Sequence, residues 1–479
     1  MSPRYPAPKR RILCTALLCL AACADEGPTR ADEGPARADE GPRPTNLVLV
    51  MIDTLRADKL SSYGAEVDTS PALTRLAEKG VQFDSVIAQS SWTLPSVGSM
   101  LTSRYPRSLG LYTEDGQMVP EDAVTLAEVL QDAGYATFGF TANPNLNSRY
   151  NFHQGFDHYS DSSVVFHLRG DVLPEGATSY LDAPLRSSPE VLDAALEFAR
   201  TMNGSRPAFI QLNLMEVHEH KSDRYLREPY KGLFEGQESA PYLRAVRQVT
   251  DDTEAFVNAV ASLPGWEDTL FVILSDHGEG LEDHPDVVRS RGHGALLYGS
   301  TIRVPWILYN PLWQGGETGG PAGQRVAQTL RLLDVLPTLL DVLQLEAPGE
   351  CLGSSAWPLA LGQTVQVGSP EFVVSETFFR GVSKISALGQ EWQYFNNRNK
   401  HPGLPRHELQ ARGSRPNGIL TDASSEQRAE MRRMRAFLDD WEVRNPPAKQ
   451  VALVGELSEE AAAQLKAIGY LGGDEDGDD

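Results

Sequence analysis

Seven consecutive residues, Asn46–Ile52 (NLVLVMI), carry no charge and only one polar side chain. A run this apolar has no face to offer to water. It fits a strand covered on both sides, which in practice means a parallel sheet packed between helices. Four more short runs repeat the signature: Ala136–Phe140, Ala208–Leu214, Leu270–Ser275 and Val304–Tyr309. Helical patterns lie between them, at 71–80, 124–135, 188–202 and 240–263. Strands alternating with helices predict an α/β fold, with a large doubly wound, mostly parallel sheet flanked by helices. In such sheets ligands bind beyond the carboxyl ends of the strands. Residues that directly follow each apolar run are therefore the candidates for chemistry.

Near residue 350 the texture changes. EFVVSE, VSKISAL and EWQYFN are short strands close together, followed by a charged helix around EQRAEMRRMRAFLDDW. This predicts a main α/β domain over 45–349 and a smaller C-terminal α+β subdomain over 350–471. The latter ends in a helix capped by Ser458 and stopped by glycine. Residues 472–479 form an acidic tail.

The first 44 residues follow another logic. Arg4, Lys9, Arg10 and Arg11 precede a short apolar core, Ile12–Leu20, too short to span a bilayer. The core leads into Leu20-Ala-Ala-Cys23, which is similar to a bacterial lipobox. Residues 1–22 are then a lipoprotein signal peptide, and Cys23 carries the lipid that holds the protein to a membrane. An ordinary signal peptide cut at small residues is the competing reading. Residues 23–44 repeat ADEGP-type units without an apolar seam, as a solvated tether would. Of four cysteines, Cys14 and Cys19 leave with the signal and Cys23 is modified. Only Cys351 remains, so neither an intramolecular disulfide nor a cysteine metal site is expected in this exported, cell-envelope protein. The net charge of −22 argues against nucleic acid as a partner. It does not exclude small anionic substrates, because a local metal can offset the global field. Nothing in the sequence fixes an oligomeric state.

Three strand ends carry polar clusters. Asp53 follows the first run, Glu216, His218 and His220 follow the third, and Asp276-His277 follow the fourth. An Asp beside a His after a buried strand suits a metal. Taken singly, each also fits a helix-capping Asp with a surface His; three in one sheet favour a shared site. A hydroxyl-rich segment, Ser90–Pro106 (SSWTLPSVGSMLTSRYP), places Thr93 near a helix start marked by Pro95. A helix N-terminus is a favourable place for a developing anion. Alternatively, Thr93 only caps that helix.

With these motifs in order (MIDTLRADKLSSYG, TLPSVGSMLTSRYP, SDHGEGL, GHGALLYGSTIRVPWILYNP and LLDVLPTLLDVL), the chain resembles the sulfatases of the alkaline phosphatase superfamily over residues 46 to 345. The resemblance implies the fold argued above and a metal-dependent hydrolase. Sulfatases carry Cys or Ser in a C/S-x-P-x-R pattern and oxidise it to formylglycine. Here the matching residues are Thr93, Pro95 and Val97, so no formylglycine is expected. Other branches of the superfamily, such as nucleotide pyrophosphatases and phosphoethanolamine transferases, use a metal-bound Thr as nucleophile. The resemblance thus implies Thr93 as nucleophile and one divalent ion held by Asp53, Thr93, Asp276 and His277. With Thr54 replacing a second Asp and an imidazole added, Mn²⁺ or Zn²⁺ is favoured and Ca²⁺ is the alternative. A two-metal arrangement would recruit Glu216, His220 and His293. His218 and His293 correspond to residues that bind the ester oxygens or protonate the leaving group, and Asn143 falls near a substrate-binding Lys. Glu279, Asp283, His284 and Asp286 are expected to be solvated loop residues. The expected function is ester cleavage at phosphorus or sulfur on a small molecule, glycan or lipid headgroup, with phosphoester, phosphodiester or phosphonate favoured over sulfate. The rivals are an ordinary sulfuric ester hydrolase, a phosphoryl-group transferase, and an inactive binding protein on a sulfatase scaffold.

Overall fold

The computed structural model describes residues 45–451, apart from 113–116, 162–185, 203, 205, 282, 285–286, 288–289, 314–319, 365–370, 400–402 and 414–422. The leader, the tether, the helix expected at Ser458, the acidic tail and Asp286 lie outside the described residues. Eight strands form the main sheet: β1 (Asn46–Ile52), β2 (Val81–Ile87), β3 (Ala136–Phe140), β4 (His158–Ser160), β5 (Ala208–Leu214), β6 (Thr269–Leu274), β7 (Arg303–Tyr309) and β8 (Gln324–Arg331). Their order is β4-β3-β5-β1-β6-β7-β2-β8.

The apolar run that opened the sequence argument lies in the interior of this sheet. β1 pairs in parallel with β5 (Val50 opposite Leu212) and with β6 (Val50 opposite Ile273). All seven of its residues are buried. Leu47, Leu49 and Met51 join one core with Leu94, Val97 and Met100 of helix Thr93–Thr102. Val48, Val50 and Ile52 join another with Leu73 and Leu76 of helix Pro71–Glu78 and Leu243, Val246 and Val249 of helix Ala240–Ala261. Alternate side chains of one strand thus reach opposite helical layers. Truncating such a residue to alanine costs about 2–5 kcal/mol.

The sheet is mostly parallel, as predicted, with β7 antiparallel to both neighbours. A parallel return needs a crossover, usually a helix. Between β6 and β7 only the short helix Gly299–Ile302 is present among the described residues, and the chain re-enters from the carboxyl edge. Helices Leu126–Asp132 and Ser188–Thr201 also fall where helical periodicity placed them.

Four antiparallel strands, β9 (Val373–Phe379), β10 (Val382–Leu388), β11 (Trp392–Asn397) and β12 (His407–Ala411), form a second sheet in the order β12-β11-β10-β9. Helix Ser425–Arg444 is capped by Ser424, whose hydroxyl accepts from Gln427 N–H while Gln427 returns a bond to Ser424 N–H. Met434, Leu438 and Trp441 of this helix pack on Val374, Ile385 and Tyr394. The small sheet is anchored to the main body by polar contacts. Glu376 N–H donates to the Gln89 carbonyl at 2.9 Å, and buried Arg107 bonds the Glu376 carboxylate at 3.0 Å.

Candidate active site

Asp53 leaves β1 with its N–H still bonded to the Leu214 carbonyl at 3.0 Å. Thr54 then turns sharply, at φ +57°, and its N–H donates to Asp276 Oδ1 at 3.3 Å. The two strand ends are thereby tied together. Asp53, Thr93, Asp276 and His277 are all fully buried. One ligand-type atom each from Asp53, Asp276 and His277 lies within 4.8 Å of the others. His277 Nε2 stands 3.3 Å from Asp276 Oδ2 and 3.9 Å from Asp53 Oδ1.

The orientation of His277 follows from its other nitrogen. Nδ1 lies 2.9 Å from the Gly278 carbonyl. A carbonyl only accepts, so Nδ1 carries the proton and Nε2 of the neutral ring presents a lone pair. That is how a metal-binding imidazole is usually held. Asp53 Oδ1 and Asp276 Oδ2 are buried with no hydrogen-bond partner. Burial, then the adjacent Asp276 charge, pushes the Asp53 carboxyl up to about 6. Two carboxylates with orphaned oxygens beside an imidazole lone pair are the donor set of a divalent cation, and these residues fit one.

Thr93 opens helix Thr93–Thr102 after extended Trp92. Its Oγ1 is 3.2 Å from His277 Nε2. Ser96 Oγ, one turn on, donates to the Asp276 carbonyl at 2.6 Å, fixing the helix start to the end of β6. Asn143 Oδ1 accepts from Asn145 N–H at 2.8 Å, so its amide nitrogen faces the site. That nitrogen donates to Asp53 Oδ2 at 2.6 Å and to Thr93 Oγ1 at 3.3 Å. The amide of Asn143, the residue expected to bind substrate, reaches both the Asp53 carboxylate and the Thr93 hydroxyl, so the residue stands at the site. Asn213 of β5 adds a long contact to Asp53 Oδ2, 3.5 Å, and was missed because it looks like one polar residue inside an apolar strand.

His218 and His293 complete the site. Their rings are 5.1 Å apart, and His293 is 4.7 Å from His277. Each has a carboxylate on Nδ1: Glu219 at 2.8 Å from His218, and Glu279 at 3.0 Å from His293. Burial alone would push His218 down, but the Glu219 bond and the nearby Asp53 charge carry it up to about 9. Burial pushes His293 down to about 4, against the pull of Glu279. The Glu279–His293 pair is built by backbone. Gly280 and Gly292 form an antiparallel bridge with N–O distances of 2.7 and 2.8 Å, which brings the residues beside them face to face. Any Cβ at Gly280 would collide with the Ser290 carbonyl oxygen.

Two expectations need correction. Glu216, His220 and His293 do not converge. Glu216 accepts from the Ser188 N–H and hydroxyl at the start of helix Ser188–Thr201, and His220 Nδ1 bonds the Val217 carbonyl at 3.0 Å. Among the described residues the Asp53–Asp276–His277 group is the sole metal-type cluster. Glu279 and His284 are buried rather than solvated. Asp283 pairs with buried Arg56 at 2.5 Å. Glu279 lies next to the Gly280–Gly292 bridge, Asp283 is drawn to the Arg56 guanidinium, and His284 packs on Tyr298 with ring centroids 4.7 Å apart.

Comparison with known proteins bears on the family and the fold. The sulfatase family profile ("Sulfatase") matches residues 45–345. Human arylsulfatase A (Homo sapiens) is 37% identical over 367 residues, covering 67% of this chain and 68% of that protein. Among solved structures, the phosphonate monoester hydrolase SpPMH from Silicibacter pomeroyi superposes with a TM-score of 0.63 at 18% identity, covering 84% of this chain and 96% of that one. A protein solved in complex with its substrate D-glucosamine-2-N,6-O-disulfate gives 0.65 at 16% identity, covering 85% and 99%. The large mostly parallel sheet with a small antiparallel one is the shared fold. With the family profile spanning more than half of its length and arylsulfatase A covered over two thirds, this chain belongs to the sulfatase family of hydrolases.

Proposed function

We propose that this protein is a divalent-metal-dependent hydrolase that cleaves esters at phosphorus in preference to sulfur, with Thr93 as the nucleophile. The observation that carries this reading is the Thr93 hydroxyl, fully buried at a helix start, 3.2 Å from His277 Nε2. Asp53, Asp276 and His277, with Thr93 as a fourth donor, would hold the ion. Such an ion supplies Lewis-acid stabilisation of negative charge on oxygen. The short spacing of two oxygens and one nitrogen suits Zn²⁺ or Mn²⁺ better than Ca²⁺, which takes six to eight oxygen ligands.

Thr93 Oγ1 gives up its proton to water and attacks the central atom in line with the leaving alcohol, forming the Thr93 ester as the bond to that alcohol breaks. The helix N-terminus offers N–H groups and a favourable dipole to the anion. His218, kept charged by Glu219, donates its proton to the departing oxygen. His293, held by Glu279, borders the same space and orients the ester oxygens. Water then breaks the Thr93 ester and returns the hydroxyl. A threonine Cβ bears a methyl group, so Thr93 cannot become the aldehyde of formylglycine. Its ester must be released by direct attack, which favours phosphorus.

The same reading places the enzyme outside the cytoplasm, anchored through lipid on Cys23. The glycan ligand of one structural neighbour supports a glycan or lipid-headgroup ester as substrate. An ordinary sulfuric ester hydrolase is the second reading, favoured by the arylsulfatase relatives. Metal analysis combined with turnover of aryl phosphate monoester, diester, phosphonate monoester and sulfate, with and without chelator, separates them. Fastest turnover of a phosphorus ester, abolished by chelator and restored by Zn²⁺ or Mn²⁺, is expected. Sulfate as the best substrate supports the second reading, and bound metal without turnover of any ester supports a binding scaffold.

A further inference from the structure

A cavity of about 760 Å³ lies between the loop after β1, the Tyr298–Arg303 segment and the β12 end of the small sheet. None of Asp53, Thr93, His218, Asp276, His277 and His293 lines it. Its volume is in the range of sites that enclose small organic ligands, ~300–1,000 Å³.

The arginines around it differ in their partners. Arg56 is neutralised, forked between Asp58 and Asp283. Arg303 uses one nitrogen, Nη2, on the Asp84 carbonyl at 2.9 Å. Arg412 bonds only uncharged groups, including Ser85 Oγ at 2.6 Å and Thr329 Oγ1 at 2.7 Å. The nearby Asp84 carboxylate is occupied by Arg325 at 2.7 Å. Among the described residues neither Arg303 nor Arg412 has a carboxylate partner. They also feel each other: partial desolvation of this otherwise exposed side chain, then the Arg303 charge, holds Arg412 below its usual range. In a chain of net charge −22, two guanidinium groups on one cavity lining with no carboxylate bonded to either among the described residues leave a place for an anion. Ser300 Oγ, on the same lining, is buried without a hydrogen-bond partner. Glu66 and Glu238 add acceptors of the kind that hold hydroxyl groups.

We propose that this cavity is a second binding site, distinct from the catalytic one, for a sugar unit bearing a sulfate or phosphate, with Arg303 and Arg412 holding the oxyanion. Guanidinium groups recognise such tetrahedral anions through paired N–H donors. The carboxylates and hydroxyl of the lining suit the sugar ring. The site goes beyond the hydrolase reading and does not depend on it.

Calorimetric titration of the full chain carrying Thr93→Ala, which prevents turnover, tests this. The probes are a heparin-derived tetrasaccharide, its desulfated counterpart and mannose 6-phosphate. Binding of at least one anionic sugar is expected, and the arm that binds tells sulfate from phosphate. Adding Arg303→Ala and Arg412→Ala should weaken it on the order of tenfold or more, as the loss of charged hydrogen bonds implies. In an otherwise wild-type chain the same pair should leave turnover of a small aryl ester unchanged. Equal affinity with and without the two arginines, equal binding of the desulfated sugar, or binding of neither anionic probe overturns the proposal. If thermal melting shows the double variant unfolded, Arg412→Ala alone decides, since that residue is exposed. Failure of the chain to hydrolyse any aryl ester would sink the hydrolase reading and leave this binding result standing.

Discussion

Ser96 Oγ donates to the Asp276 carbonyl at 2.6 Å, so the helix that begins at Thr93 is fixed to the strand end that bears Asp276 and His277. This buried hydrogen bond helps to register the nucleophile candidate against the metal-type cluster. Ser96→Ala leaves that carbonyl without its hydroxyl partner, at a cost of about 1–3 kcal/mol. A lowered melting temperature with a fall in kcat larger than the change in KM is the expected result. An unaltered kcat would show that the registration does not matter for turnover.

Thr93→Ala should preserve the fold and most bound metal but reduce turnover on the order of 10³-fold or more, because the attacking oxygen is gone. Thr93→Ser should retain part of the activity. Single-turnover kinetics and metal analysis on the same preparations check both. Wild-type rates in Thr93→Ala would reduce Thr93 to a structural residue.

Asp276→Asn and His277→Ala should each lose bound metal, since each removes a donor from a closed buried set. Elemental analysis after dialysis is the measurement. Retention of one equivalent of metal by both variants would place the ion elsewhere.

The His218–Glu219 pair sets a pH window. With the folded pKa raised to about 9, well above the ordinary imidazole value of about 6.5, the pair's stabilisation is full below about 6.5. It is lost as pH rises through about 9. Proton donation follows the same limb, so kcat/KM should decline on the alkaline side near 9. Glu219→Gln should move that limb to lower pH. An alkaline limb that stays in place in the variant would remove His218 from the proton-donor role.

Cys23→Ala should shift the protein from the membrane fraction to the soluble fraction while leaving the specific activity of the purified body unchanged. Fractionation and mass spectrometry of the native N-terminus check this. A wild-type chain found free and unmodified at Cys23 would end the lipoprotein reading.

What the sequence revealed depended on where the physical signal was stored. β1 was legible because burial on both faces leaves no polar position to dilute the run. β8 (QRVAQTLR) was not, because it lies at the sheet edge, where several of its side chains meet solvent. β2 was hidden by Gln82, Asp84 and Ser85. Asp53, Asp276 and His277 were legible because they directly follow buried strands. Glu279 was misread for the opposite reason. Its burial comes from a bridge between Gly280 and Gly292, twelve residues apart, which no local pattern announces. Glu216 looked like a ligand by position, yet its carboxylate is tied to Ser188 at a distant helix start. Asn143 was placed at the site, but its bonds to Asp53 and Thr93 were not foreseen, because nothing in TANPNL tells which way an amide turns.

The reversed direction of β7 has a consequence for how such a protein can change. The chain departs from β6 and comes back into β7 at one and the same rim of the sheet. Everything between, including His277, Glu279 and His293, is a single excursion whose two feet stand side by side. Residues can be added to or removed from that excursion without shifting the register of any strand or displacing a helix on either face. The sheet thus acts as a fixed socket, and the segment that carries half of the site is a replaceable part.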